Sequence, residues 1–109
     1  MKSIGKTLKQ IGDALAGLSI PVYHYWRPNM TAPYVVWTES GSNPAYAGNL
    51  VAEQALTGAV HLFTQTEYDP VVDEVQAILA QLRCVWTLES VQFEEDTELI
   101  HYEWSWEML

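Results

Sequence analysis

Residues 54–83 read QALTGAVHLFTQTEYDPVVDEVQAILAQLR. The first part alternates. Leu56, Val60 and Leu62 face one way, and Thr57, His61 and Phe63 face the other, as on a strand with one buried face. At Asp69-Pro70 the period changes. Asp69 is a good helix N-cap, Pro70 suits the first helical position, and Asp73 and Glu74 suit the positive end of the helix dipole. Val72, Val75, Ile78, Leu79 and Leu82 then form a helical stripe, and Arg83 closes the last turn. A strand followed by a punctuated helix requires at least two layers, one of them a sheet.

Upstream, Ile4, Leu8, Ile11, Leu15 and Leu18 recur at helical spacing, with Lys2, Lys6, Lys9 and Asp13 off the stripe. Gly17 and Pro21 end this helix. The lysines beside an apolar stripe also fit a membrane-surface helix. Gly5, Gly12 and Gly17 oppose that, because each costs about 1 kcal/mol relative to Ala in a helix that must form alone. Residues 22–26 are aromatic-rich and predict a strand, residues 34–39 a second, and residues 54–64 a third. Ser40 to Asn49, with Gly41, Ser42, Asn43, Pro44, Gly48 and Asn49, reads as the longest loop. Val85 to Phe93 and Leu99 to Met108 complete the set. In the last strand Ile100, Tyr102, Trp104 and Trp106 alternate with His101, Glu103 and Ser105. The expected fold is α+β, a single domain over residues 1–109 in the order α-β-β-β-α-β-β, with both helices on one face of a mostly antiparallel sheet.

The chain has 109 residues and a formal charge of −9. Residues 1–33 carry four bases against Asp13, whereas residues 34–109 carry Arg83 against 13 acids. Such a chain lacks the clustered Lys and Arg that coat nucleic acid, so no sequence-specific nucleic-acid binding is expected. An acidic surface suits a protein past which DNA must slide. The N-terminal lysines interrupt any signal-peptide core, and no run approaches the roughly 18 apolar residues of a membrane span, so a soluble, cytoplasmically made protein is expected. One cysteine excludes an intramolecular disulfide.

Chemistry is sparse. Ser40-Gly41-Ser42 is not a nucleophile elbow, and the glycines of 40–49 lack the spacing and lysine of a phosphate loop. Cys84 lies in an acidic half of the chain and reads as a small buried apolar residue. His24, His61 and His101 each fall on a strand but in no HxH or HxxxH pair, so solvent-facing or hydrogen-bonded histidines are expected, with no metal and no cofactor. Glu94, Glu95, Asp96 and Glu98 share a turn, where solvent keeps carboxylates ordinary. Five tryptophans and six tyrosines exceed what a small core easily buries, and the surplus favours a binding or assembly role over catalysis.

Several stretches together resemble a known family. Tyr46-Ala47-Gly48-Asn49, then Val60-His61-Leu62-Phe63-Thr64-Gln65-Thr66, then Asp69-Pro70 with Glu74 and Ile78, are similar to the tail-completion or tail-terminator proteins of long, non-contractile-tailed phages and Gram-positive prophages. Ile20-Pro21-Val22-Tyr23 and the run from Glu94-Glu95-Asp96 to Tyr102-Glu103 extend the likeness over nearly the whole chain. Gly48 departs from it, standing where the family carries Asp. The resemblance implies two helices on one antiparallel sheet. It also implies a non-enzymatic virion structural protein that assembles as a homo-oligomeric, often sixfold, ring on the head-proximal end of the tail tube. Such a ring meets tail-tube and neck proteins, lets DNA through, and touches no membrane. A head–tail connector beside the portal is a neighbouring reading. A small ligand-binding domain, with a pocket lined by some of Trp26, Trp37, Trp104 and Trp106, is one of another class. For the ring, the candidate interface or lumen residues are Tyr46 and Asn49 on the loop and Glu94, Glu95, Asp96 and Glu98 on the acidic turn. A plain surface connection and a solubility role are the simpler accounts of these two segments.

Overall fold

The computed structural model describes residues 3–27, 31–47 and 50–108, with side chains for all of these except 43–47 and 50–54. Its elements run α1 (Ile4–Leu15), β1 (Val22–His24), β2 (Tyr34–Ala47), β3 (Leu50–Thr64), α2 (Val71–Gln81), β4 (Val85–Glu94) and β5 (Leu99–Met108). The fold is α+β, in the expected element order. The five strands form one sheet in the order β1-β2-β3-β5-β4. Three neighbouring pairs are antiparallel, and β1 runs parallel to β2, with Val22 opposite Val35.

Both helices cover the same face. Ile11 and Leu15 of α1 and Val75 and Leu79 of α2 pack in one cluster with Val35, Val60, Leu62, Trp104 and Trp106 of the sheet. Each of these is at least 98% buried. Burying one such side chain contributes about 1.5–3 kcal/mol, so this layer is the main source of stability. In α1, Ser3 caps the start by accepting from the Lys6 N–H at 3.2 Å. The helix ends at Leu15, so Leu18 is buried just beyond it, and Ile4 at its start is exposed. Gly12 allows close seating, because a Cβ there would lie 3.1 Å from the Trp37 ring.

The start of α2 falls one residue later than its sequence implies, with Pro70 at the cap position and Val71 opening the helix, and Asp69 still braces it. Asp69 accepts from the Val71 N–H at 2.9 Å and from the Thr64 hydroxyl at 2.6 Å. Its other end differs from the sequence reading. The helix stops at Gln81, and Arg83 takes φ +60°. The Arg83 N–H then donates to Ala80 O and the Cys84 N–H to Leu79 O, both at 3.0 Å. This is a Schellman closure with arginine where glycine is usual. Arg83→Gly is therefore expected to raise stability by about 0.5–1 kcal/mol, read as a higher urea midpoint. An unchanged or lower midpoint would show that contacts of the arginine outweigh its left-handed backbone.

The largest departure lies in residues 40–47; residues 48 and 49 of the expected loop lie outside the described residues. Residues 40–47 are strand, not loop, and β3 begins at Leu50 rather than Gln54. Ser40 is an extra residue between the Glu39–Gly58 and Gly41–Thr57 pairs, and Gly41 takes φ +152° at this bulge. β5 leaves β3 at the Leu56–Met108 pair. Beyond it β2 and β3 continue as a two-stranded ribbon, with no third strand among the described residues. The 15 residues of β3 span roughly 46 Å at about 3.3 Å each, close to the 49 Å long axis of the molecule.

Candidate functional site

The two predicted segments stand at opposite ends of the sheet. Tyr46 lies on the ribbon opposite Val51, with its side chain outside what the structure describes. Asn49 lies outside the described residues. The acidic turn follows β4 at the end where Phe63 meets His101. One surface cannot contain both segments. Glu95, Asp96 and Glu98 are exposed, as a turn tip predicts. Glu94 is not a free tip residue. It is half-buried at the end of β4, with its carboxylate 4.0 Å from His101 Nδ1.

That contact belongs to a cluster on the helix-free face. Because β3 pairs with β5, His61 lies directly opposite Glu103, and Phe63 directly opposite His101. His61 Nδ1 and His101 Nε2 are 2.8 Å apart, and Glu103 Oε1 is 4.0 Å from the same His61 nitrogen. Phe63 stacks on His101, with ring centres 4.2 Å apart, and Tyr34 stacks on Phe63 at 5.0 Å. The Arg27 guanidinium lies over Tyr34, 5.3 Å from its ring centre. Burial lowers the pKa of His61. Glu103 opposes that shift, and the facing His101 adds to it.

A second polar group lies on the helix side, at the β1 edge. His24 Nε2–H donates to Glu39 Oε2 at 2.6 Å, and the Tyr25 hydroxyl donates to the other carboxylate oxygen. Burial pushes the Glu39 carboxyl up, but the bonds from Tyr25 and His24 outweigh it and hold its pKa below the ordinary value. The His24 ring is sandwiched, 3.8 Å from both the Trp37 and Tyr25 ring centres. A shallow groove of about 360 Å³ runs from His24 and Trp37 to Lys9, Gly12 and Asp13 of α1. The four tryptophans proposed for a ligand pocket do not converge on it. Trp104 and Trp106 are in the core, Trp26 is 71% exposed, and only Trp37 lines the groove.

At the outer edge of the sheet, β4 pairs with no further strand among the described residues. Glu89 is an extra residue between the Leu88–Trp104 and Ser90–Glu103 pairs. This bulge switches the alternation, so Leu88, Val91 and Phe93 all point to the helix side of the sheet. They are 40%, 51% and 62% exposed. Cys84, by contrast, is buried as its composition context suggests.

In the sequence, His61 and His101 fall on the faces opposite their buried neighbours, but nothing local brings them together. The available signal was the shared parity of His61, His101 and Glu103 against their buried neighbours. Using it requires knowing that β3 and β5 are adjacent, across α2 and β4. The chain matches no protein-family model and is significantly similar to no curated protein.

Proposed function

We propose that this chain is a ring-forming structural subunit of a tailed-phage or prophage virion, a tail terminator at the head-proximal end of the tail tube. The observation that carries the reading is the β4 edge. A ten-residue edge strand with a row of exposed Leu88, Val91 and Phe93 is a hazard for a free monomer, because its N–H and C=O groups invite another strand. The occupant in this reading is a second copy of the chain. Charge layout supports a head-to-tail contact: exposed Lys6 lies on α1, and exposed Glu95, Asp96 and Glu98 lie on the turn after β4. Two unlike surfaces that meet head to tail close into a ring when the rotation between copies divides a full turn. The ribbon of β2 and β3 is long enough to reach a neighbour, and the excess of acids keeps the lumen slippery to DNA. In this reading the chain is a scaffold rather than an enzyme.

The test is light-scattering mass over a concentration series, with negative-stain images of the same fractions. Closed rings with a central hole are expected from the wild type. Val91→Lys with Phe93→Lys should reduce them to monomers with unchanged circular dichroism, since both side chains are exposed. Monomer mass at every concentration, or rings that survive both lysines, would overturn the reading. Capture of the rings by tube protein rather than portal protein separates a terminator from a neck connector.

A further inference from the structure

We propose that His61, His101 and Glu103 form a binding site for a divalent first-row transition metal ion of the zinc type, on the helix-free face of the sheet. One ligand atom from each of the three lies within 4.8 Å of the other two. The proposal does not depend on the assembly reading, which rests on the β4 edge.

The chemistry starts from the two imidazoles. His61 Nδ1 faces His101 Nε2 at 2.8 Å, and in two neutral rings only one proton can lie between two such nitrogens. A lone pair therefore points into the space that the other nitrogen occupies. A metal ion can accept both lone pairs once that proton shifts, through solvent, to the other nitrogen of its own ring, so that both imidazoles stay neutral. Tetrahedral zinc with Zn–N of about 2.0–2.1 Å sets its nitrogens roughly 3.3 Å apart, so the nitrogens need to separate by about 0.5 Å and the two rings, now head to head, need to turn until their lone pairs meet at the ion. Glu103 Oε1 is 4.0 Å from His61 Nδ1, and a small side-chain movement makes it the third ligand. All three residues are only partly buried, which leaves a fourth position open to water.

The surroundings suit a metal as well. Glu94 Oε2 is 4.0 Å from His101 Nδ1, the nitrogen that does not face His61. The negative charge there favours the tautomer with its proton on Nδ1, which leaves Nε2 as the ligand atom. Phe63 stacks on His101 and limits its rotation. The three ligands come from two paired interior strands, whose backbone positions are rigid. Two imidazoles with one carboxylate select zinc, cobalt, nickel or copper over magnesium or calcium, which prefer all-oxygen sets.

The experiment uses the full, untagged chain, stripped with chelator and titrated with Zn²⁺ by calorimetry and with Co²⁺ by visible absorption. One ion per chain is expected, with Co²⁺ giving the intense bands of low coordination and Zn²⁺ displacing it. His61→Gln and His101→Gln should each weaken binding about 100-fold, and Glu94→Gln about tenfold. His24→Gln, on the other face of the sheet, should leave it unchanged. Should either ligand variant fail to fold, Glu103→Gln takes its place, with a loss of about tenfold or more expected. Absence of saturable binding to the wild type would overturn the proposal. So would equal binding to the His61 and His101 variants, or displacement of Co²⁺ by equimolar Mg²⁺.

Discussion

Gly58→Ala should destabilise the fold by about 3 kcal/mol or more and lower the melting temperature by more than about 10 °C. A Cβ at this position would lie 2.1 Å from the Thr38 carbonyl oxygen and 2.3 Å from the Trp106 ring. Neither neighbour can yield cheaply. The carbonyl belongs to the β2 backbone beside the bulge, and Trp106 is 98% buried beneath the helices. The methyl group must therefore push the β2–β3 ladder apart or drive a tryptophan out of the core. Gly5→Ala is the matched control, since a Cβ there meets nothing within 4 Å. It should leave the melting temperature unchanged or slightly raised, because Ala is the better helix former. A Gly58→Ala protein that melts within about 2 °C of the wild type would show that Trp106 does not pack on this glycine.

Trp104→Ala should cost about 3–5 kcal/mol. Trp104 is fully buried, between Val60 on β3 and Leu88 on β4 in the sheet register. Its Nε1–H donates to Gln76 Oε1 at 3.1 Å, which ties β5 to α2. Truncation opens a cavity under both helices and leaves the Gln76 amide without this donor. Domains of this size are stable by only about 5–15 kcal/mol, so the variant would keep a small margin. Trp104→Phe separates the two contributions. It retains most of the ring volume and removes the bond, at an expected cost of about 1–2 kcal/mol. Urea unfolding of both variants decides the matter. Equal losses would mean that the bond to α2, and not the packing, dominates.

Legibility in the sequence followed the range of the interaction. The alternation of Leu56, Val60 and Leu62 against His61 and Phe63 is local, and it survives in the structure. The start of α2 is legible to within one residue, because Asp69 holds the Val71 N–H and such bonds involve only neighbours in the chain. The ribbon reads as loop in the sequence because Gly41, Ser42, Asn43 and Pro44 are turn formers by intrinsic preference. Pairing with β3 overrides that preference through residue 47, and Pro44 is tolerated on a segment that no third strand flanks. The parallel course of β1 was hidden for a related reason. Neighbouring strands joined by a short connection usually form hairpins, whereas residues 25–33 carry the chain back to start β2 in the same direction. The histidine pair was the hardest to see. His61 and His101 are 40 positions apart, and no local pattern records that their strands touch.

The strand order also sets a sequence of events. β2 and β3 form one hairpin and β4 and β5 another, and each can close within about 1–10 μs, because its ends are near in the chain. The β3–β5 seam joins them and pairs residues from 36 (Thr64–Ile100) to 52 (Leu56–Met108) positions apart. Closing a loop of that length costs about 3 kcal/mol in chain entropy before the seam returns any contact. Until it closes, β3 and β5 each present an open edge, and His61 and His101 belong to separate units. Nucleation therefore depends on this one non-local docking step, and the topology makes it the slow stage of folding.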